Sequence, residues 1–262
     1  MRPGLAGPGR HNRIMSINDL GVDNLGRPAK VSELLADRLR GQILGQGIKA
    51  GEVFSSEPEL IARFGLARGT VREALRLLES EGLITIRRGR SGGIEVREPD
   101  LVQISRSVAV WLAMRETTMR ELMEFRLSLE PAAAAAAAAA ATIEQRTWLL
   151  RIAEKPAEGE LSHAAGLHDA IAVATNNDLF RVSMASLHQA FSWHMTEERL
   201  TRPELDATHE AHLRIVQAIE AGDRTRARRA MAKHLEDFAE QLKRSGRIDD
   251  VIVPRQAWLR RA

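Results

Sequence analysis

The chain has 262 residues, 44% hydrophobic and only 4% aromatic, with no cysteine and a formal net charge of +3. That length predicts two domains, and abundant Ala, Leu and Arg beside few strand formers predicts a mostly α protein. The lack of cysteine excludes disulfides and thiolate metal sites, and no apolar run approaches the roughly 18 residues of a membrane span.

The small net charge is unevenly spread. Residues 1–29 carry four Arg against two Asp, residues 30–97 carry twelve Lys/Arg against nine acids, and residues 98–262 carry 22 basic against 24 acidic residues. The N-terminal third is therefore the part expected to meet phosphates. Residues 1–27 are Gly- and Pro-rich, with scattered Arg and neither helical periodicity nor the apolar core of a signal peptide. They are expected to form a disordered basic arm of a cytoplasmic protein.

A DNA-binding module is expected over residues 28–97. Val31, Leu34, Leu35, Leu39 and Ile43 keep helical spacing over Val31–Leu44, with Ser32 as a candidate cap. Gly45–Ser56 reads as a loop. A short helix over Pro58–Phe64 has proline in its first turn and stops at Gly65. A second helix, Arg68–Ser80, ends at Glu81-Gly82, with Gly82 supplying a left-handed cap. Val71, Ala74, Leu75, Leu77 and Leu78 share one face of it, and Arg68, Arg72 and Arg76 fall within an arc of about 80° on another. Residues 83–86 and 93–96 are two short strands joined by the basic, glycine-rich tip Arg87–Gly92. A short helix, a tight turn and a helix with an arginine stripe form a helix-turn-helix, whose second helix can enter the major groove of double-stranded DNA, and the hairpin is its wing. Arg68, Gly69, Thr70 and Arg72 are the candidate groove contacts, with Arg88 and Gly89 at the wing.

The segments ADRLRGQIL, GIKAGEVFSSEPELIARFG, ARGTVREALRLLESEGLI and RRGRSGG together closely resemble the winged helix-turn-helix of GntR-type bacterial transcription regulators. The sequence departs at Ala67, where that family often has Ser or Thr to bond a phosphate, and at Gly69, where Thr is common.

Arg97-Glu98-Pro99-Asp100 marks a domain boundary, and residues 98–117 are expected to form a connector helix. From residue 118 to 245 the pattern is helical throughout, with helices at about 119–141, 143–154, 160–175, 178–198, 204–221 and 223–245. The first ends in ten consecutive alanines, 132–141, whose high helix propensity and small side chains predict a tightly packed helix. Residues 246–262 are expected to be a peripheral tail, with Ile248, Val251 and Ile252 available for docking.

EFRLSLEPAAAAAA, LHDAIAVATNNDLF and AHLRIVQAIEAGDRTRARRAMAKHL resemble the all-helical effector domain of the FadR-like branch of these regulators. The resemblance implies an antiparallel α-helical bundle that binds a small metabolite, often a carboxylate, and pairs into a homodimer reading an inverted-repeat operator. It also implies that His168, His212 and His234 bind a divalent transition metal such as Zn or Ni. The family's fourth ligand, an Asp or Asn one turn before the first histidine, is replaced here by Ala164, so a metal-free effector pocket stays open. By the same resemblance Arg126 faces acidic effectors, as its planar fork suits, and Asn177 matches an effector-domain Asn. Read from the residues alone, Arg126 makes an ordinary i, i+4 pair with Glu130, worth about 0.3–0.5 kcal/mol, and Asn177 caps a helix.

These features predict a transcription regulator, a repressor in the favoured reading, that is not an enzyme. One alternative is a sequence-tolerant architectural DNA binder. Another is a three-histidine metalloenzyme, against which stands the lack of a metalloprotease-like HExxH spacing or a nucleophile constellation.

Overall fold

Capping chemistry that is local in sequence sets most element boundaries. A computed structural model describes residues 30–87, 92–154, 162–197 and 201–254, with side chains undescribed at 162–165, 188–189 and 191–197. The chain divides into two units, one ending at Asp100 and one beginning at Leu101. The expected N-terminal arm lies outside the described residues.

The first unit contains α1 (Val31–Gly45), β1 (Val53–Ser55), α2 (Glu57–Phe64), α3 (Arg68–Ser80), β2 (Ile84–Ile86) and β3 (Ile94–Val96). Ser56 caps α2: its hydroxyl accepts from the Glu59 N–H at 3.4 Å while the Glu59 carboxylate accepts from the Ser56 N–H at 2.9 Å, a reciprocal capping box. Gly65 closes α2 at φ 64° and Gly82 follows α3 at φ 74°, conformations that a Cβ would strain. Leu35, Leu39 and Ile43 of α1 meet Leu60 of α2 and Val71, Leu75 and Leu78 of α3 in one buried core.

Two local expectations are corrected. Ser32 does not cap α1. It sits within the helix, and the Glu33 carboxylate accepts from the Lys30 N–H at the helix start instead. The loop expected over Gly45–Ser56 contains β1, so the wing is a three-stranded antiparallel sheet, in the order β1-β3-β2. β1 pairs Val53 with Glu95 and Ser55 with Ile94, and Gly93 permits the approach: a Cβ there would lie 2.8 Å from Val53 Cγ1 and 3.3 Å from the Ser55 carbonyl oxygen.

The second unit is helical: α4 (Leu101–Arg115), α5 (Met119–Ala140), α6 (Ile143–Ala153), α7 (Ser162–Ala174), α8 (Asp178–Glu197), α9 (Arg202–Glu220) and α10 (Arg224–Arg244). The expected connector, α4, packs along α8 and buries Ala109, Leu112 and Ala113 in this unit's core. The alanine-rich half of α5 buries Ala133, Ala134, Ala135, Ala137 and Ala138. Side chains this short let α10 lie close against α5, its main neighbour.

The tail, expected to be peripheral, is part of the core as far as it is described. Ile248, Ile252 and Val253 are buried. The cause lies in α5, whose first-turn N–H groups have no partner within the helix. The Met119 N–H donates to the Asp250 carbonyl at 2.9 Å and the Arg120 N–H to the Ile248 carbonyl at 2.7 Å, while the Arg120 guanidinium forks onto the Asp249 carboxylate. Ile252→Ala is therefore expected to cost about 2–5 kcal/mol in urea unfolding, as for other buried Ile→Ala changes. A loss within experimental error would return the tail to the periphery.

Candidate functional site

The outer face of α3 carries the cations that its inner face excludes. Val71, Ala74, Leu75 and Leu78 are buried, which turns Arg68, Arg72 and Arg76 to solvent. Arg68 lies 3.7 Å from Glu57 and Arg76 3.6 Å from Glu73, both at exposed sites where ion pairs are weak. Arg72 has no ion-pair partner among the described residues. Gly69 has open space around its missing Cβ, so the fold itself does not demand glycine there, and Thr70 is half-buried beside it. Ala67 starts α3 with no side-chain cap, leaving its first N–H groups available to an anion. At the wing base, Arg87 reaches the buried carboxylate of Glu95 at 2.7 Å. Arg88 and Gly89 lie outside the described residues.

In the helical unit, four helices converge on one buried cluster. α7 contributes His168, α9 His212, α10 His234, and α5 both Arg126 and Glu130. The three imidazole centroids are 4.7–5.3 Å apart, and one ligand atom from each histidine lies within 4.8 Å of the others. His212 Nε2 and His234 Nε2 are 3.3 Å apart. Two nitrogens bound at about 2.0–2.1 Å to one tetrahedral ion would stand about 3.3–3.4 Å apart, so this pair fits a shared metal. Burial pushes both His212 and His234 well below the usual histidine range, with neighbouring rings and Arg126 adding to it. Both are therefore neutral near pH 7, the form that ligates metals.

From the sequence, Glu130 is expected only as an i, i+4 partner of Arg126. That pair does form, but both residues are buried, at 4% and 2% exposure, and Glu130 does more. One carboxylate oxygen accepts from Arg126 Nε and the other bonds His168 Nδ1. Burial pushes the Glu130 carboxyl up, but the Arg126 guanidinium and the His168 ring outweigh it and hold the group well below the usual carboxylate range. A charged residue one turn from Arg126, on the stripe that also holds Leu122 and Met123, was the available signal. Asn177 is placed elsewhere: exposed, its side chain accepts from the Leu179 N–H at 3.0 Å and caps α8. Position 164 offers no ligand side chain in any case, being alanine.

A groove of about 430 Å³ between α9 and α10 reaches His234 and is lined by Arg214, Arg226, Arg229 and Lys233 as well as Asp223 and Asp237. The groove beside His234 is thus positively biased.

Comparison with known proteins fits both units. The model of bacterial regulatory proteins of the gntR family matches residues 32–94, and that of the FCD domain matches residues 121–237. The HTH-type transcriptional regulator LutR of Bacillus subtilis is 30% identical over 206 residues, covering 74% of this chain and 93% of LutR. The chain belongs to the GntR family of transcription regulators, in its FadR-like branch. The HTH-type transcriptional repressor NanR of Escherichia coli is 27% identical over 216 residues, covering 79% of this chain and 82% of NanR. A solved Streptococcus agalactiae GntR structure has the same fold, with a TM-score of 0.61, 24% identity, and coverage of 80% of this chain and 99% of that one. As a GntR-family regulator the protein binds DNA through its first unit and a small-molecule effector through its second, and it is not an enzyme. The metalloenzyme alternative is set aside on that ground. No helix among the described residues is long and apolar enough to cross a membrane.

Proposed function

We propose that this GntR-family regulator is a cytoplasmic homodimeric repressor whose hold on an inverted-repeat operator is controlled by a small carboxylate metabolite, through a divalent metal bound by His168, His212 and His234. The convergence of three imidazoles from α7, α9 and α10, with His168 and His212 buried, carries the metal reading. A bound Zn or Ni ion would supply a Lewis-acidic position for an effector carboxylate. His168, His212 and His234 would hold the ion, with the Arg126 guanidinium, expected to face acidic effectors, committed instead to Glu130 beside it. The effector can change operator affinity by no more than its own difference in affinity between the protein's two states. A two-fold dimer would place two α3 helices on related half-sites, with Arg68, Gly69, Thr70 and Arg72 at the groove and Arg88 and Gly89 against the backbone. The repressor assignment is supported by the likeness to NanR, which is named as a repressor.

Metal analysis of tag-free protein beside His212→Ala tests the centre. About one transition metal per chain, lost in the variant, is expected for a three-histidine site. Metal-free protein, with the variant as stable as the parent, would make the short His212–His234 approach an imidazole hydrogen bond and the pocket purely organic.

A further inference from the structure

Imidazole ligands bring no negative charge to a divalent ion, and each must present a bare nitrogen to it. A carboxylate does stand at the cluster, on a fourth helix. We propose that Glu130 of α5 is the positioning residue of the histidine centre, holding His168 with its proton on Nδ1 so that only Nε2 can ligate. This rests on the metal reading above and says which residue makes that centre competent.

The hydrogen-bond geometry leads there directly. An ionised carboxylate only accepts, so the short contact between Glu130 Oε2 and His168 Nδ1 requires the proton on Nδ1. With Nδ1 so engaged, the only His168 nitrogen left for a metal is Nε2. Arg126 Nη2 lies 3.4 Å from both Glu130 Oε2 and His168 Nδ1. Because the Nδ1 proton is committed to Glu130, that approach is no bond to the ring, and the guanidinium instead backs the carboxylate. Histidines that ligate metals are commonly oriented in this way by a carboxylate on the other ring nitrogen.

Both oxygens of Glu130 are in use, and this gives the proposal its test. A glutamine has one acceptor where two are needed. If its oxygen serves Arg126, its NH₂ faces His168 Nδ1, moves the ring proton to Nε2 and blocks ligation. If its oxygen serves His168, two donors oppose each other at Arg126 Nε. Buried as these groups are, water cannot readily relieve either conflict.

The experiment titrates full-length protein with Zn²⁺ against a chromophoric chelator, comparing the parent, Glu130→Gln and His212→Ala. Long-range ¹H–¹⁵N spectra of the metal-free proteins report the ring tautomers. Glu130→Gln is expected to weaken Zn²⁺ binding by about 10–100-fold, the range found for losing such an orienting partner. His168 should change from the Nδ1–H toward the Nε2–H form, and His212→Ala should abolish binding. A Glu130→Gln affinity within about twofold of the parent, well short of that range, overturns the role of Glu130 while leaving the metal site standing. A folded parent that takes up no Zn²⁺ overturns the metal reading and this inference together. If the glutamine variant does not fold, the parent decides alone, since an Nε2–H tautomer at His168 would overturn the proposal.

Discussion

Arg126→Met is expected to lower the stability of the helical unit by about 3–5 kcal/mol, because it leaves the Glu130 carboxylate buried without its main counter-charge. Methionine matches much of the arginine stem, so lost packing contributes little. Urea unfolding followed by tryptophan fluorescence reads the effect, since Trp111 in α4 and Trp148 in α6 belong to the helical unit. Replacing Arg126 and Glu130 together by methionine should recover most of the loss, since a buried ion pair is often neutral against apolar residues of similar volume. A single-variant loss below about 1 kcal/mol, the range of exposed pairs, would mean that the pair is solvated after all.

Arg72→Ala is expected to remove operator binding while leaving folding and oligomeric state unchanged. The side chain is exposed, lies at the centre of the α3 stripe and has no competing ion pair among the described residues. A bidentate arginine contact to a base is worth about 1–3 kcal/mol, so a two-fold dimer would lose about 2–6 kcal/mol over both half-sites. Fluorescence anisotropy on duplexes selected from a random pool by the parent protein measures the loss, and sedimentation checks assembly. Parental affinity and specificity in the variant would sink the placement of α3 in the groove. Little preference by the parent itself for selected over random duplexes would favour the architectural alternative. A loss that is uniform across sequences, with a shallower salt dependence, would assign Arg72 to the phosphate backbone instead of a base edge.

The cationic helix α3 was legible because its signals are short in range. The α3 boundaries, Arg68 to Ser80, follow from apolar spacing and from Gly82, and its cationic face follows from the same periodicity. Gly65 and Gly222 mark helix ends by their need for positive φ, and Asp223 caps α10 by accepting from the Arg226 N–H. β1 was not legible. Three residues carry no readable alternation, and that strand exists only because β3, some forty residues later, offers an edge. The docked tail escaped for a similar reason: its carbonyls answer N–H groups at the far end of the unit's sequence, at the start of α5.

The histidine centre divides along the same line. The sequence, through its motifs, named His168, His212 and His234, and the fold brings those three side chains together. It also placed Glu130 one helical turn from Arg126, which at a solvated surface would be a weak pair. Only the tertiary structure turned that pair inward and set His168 against it. Helix periodicity and capping are decided by residues within a few positions of one another, so the sequence by itself determined the helices and the cationic face of α3. Desolvation and the meeting of side chains from α5, α7, α9 and α10 depend on neighbours up to about a hundred residues apart, so the charge, tautomer and accessibility of the second site were decided by the packing.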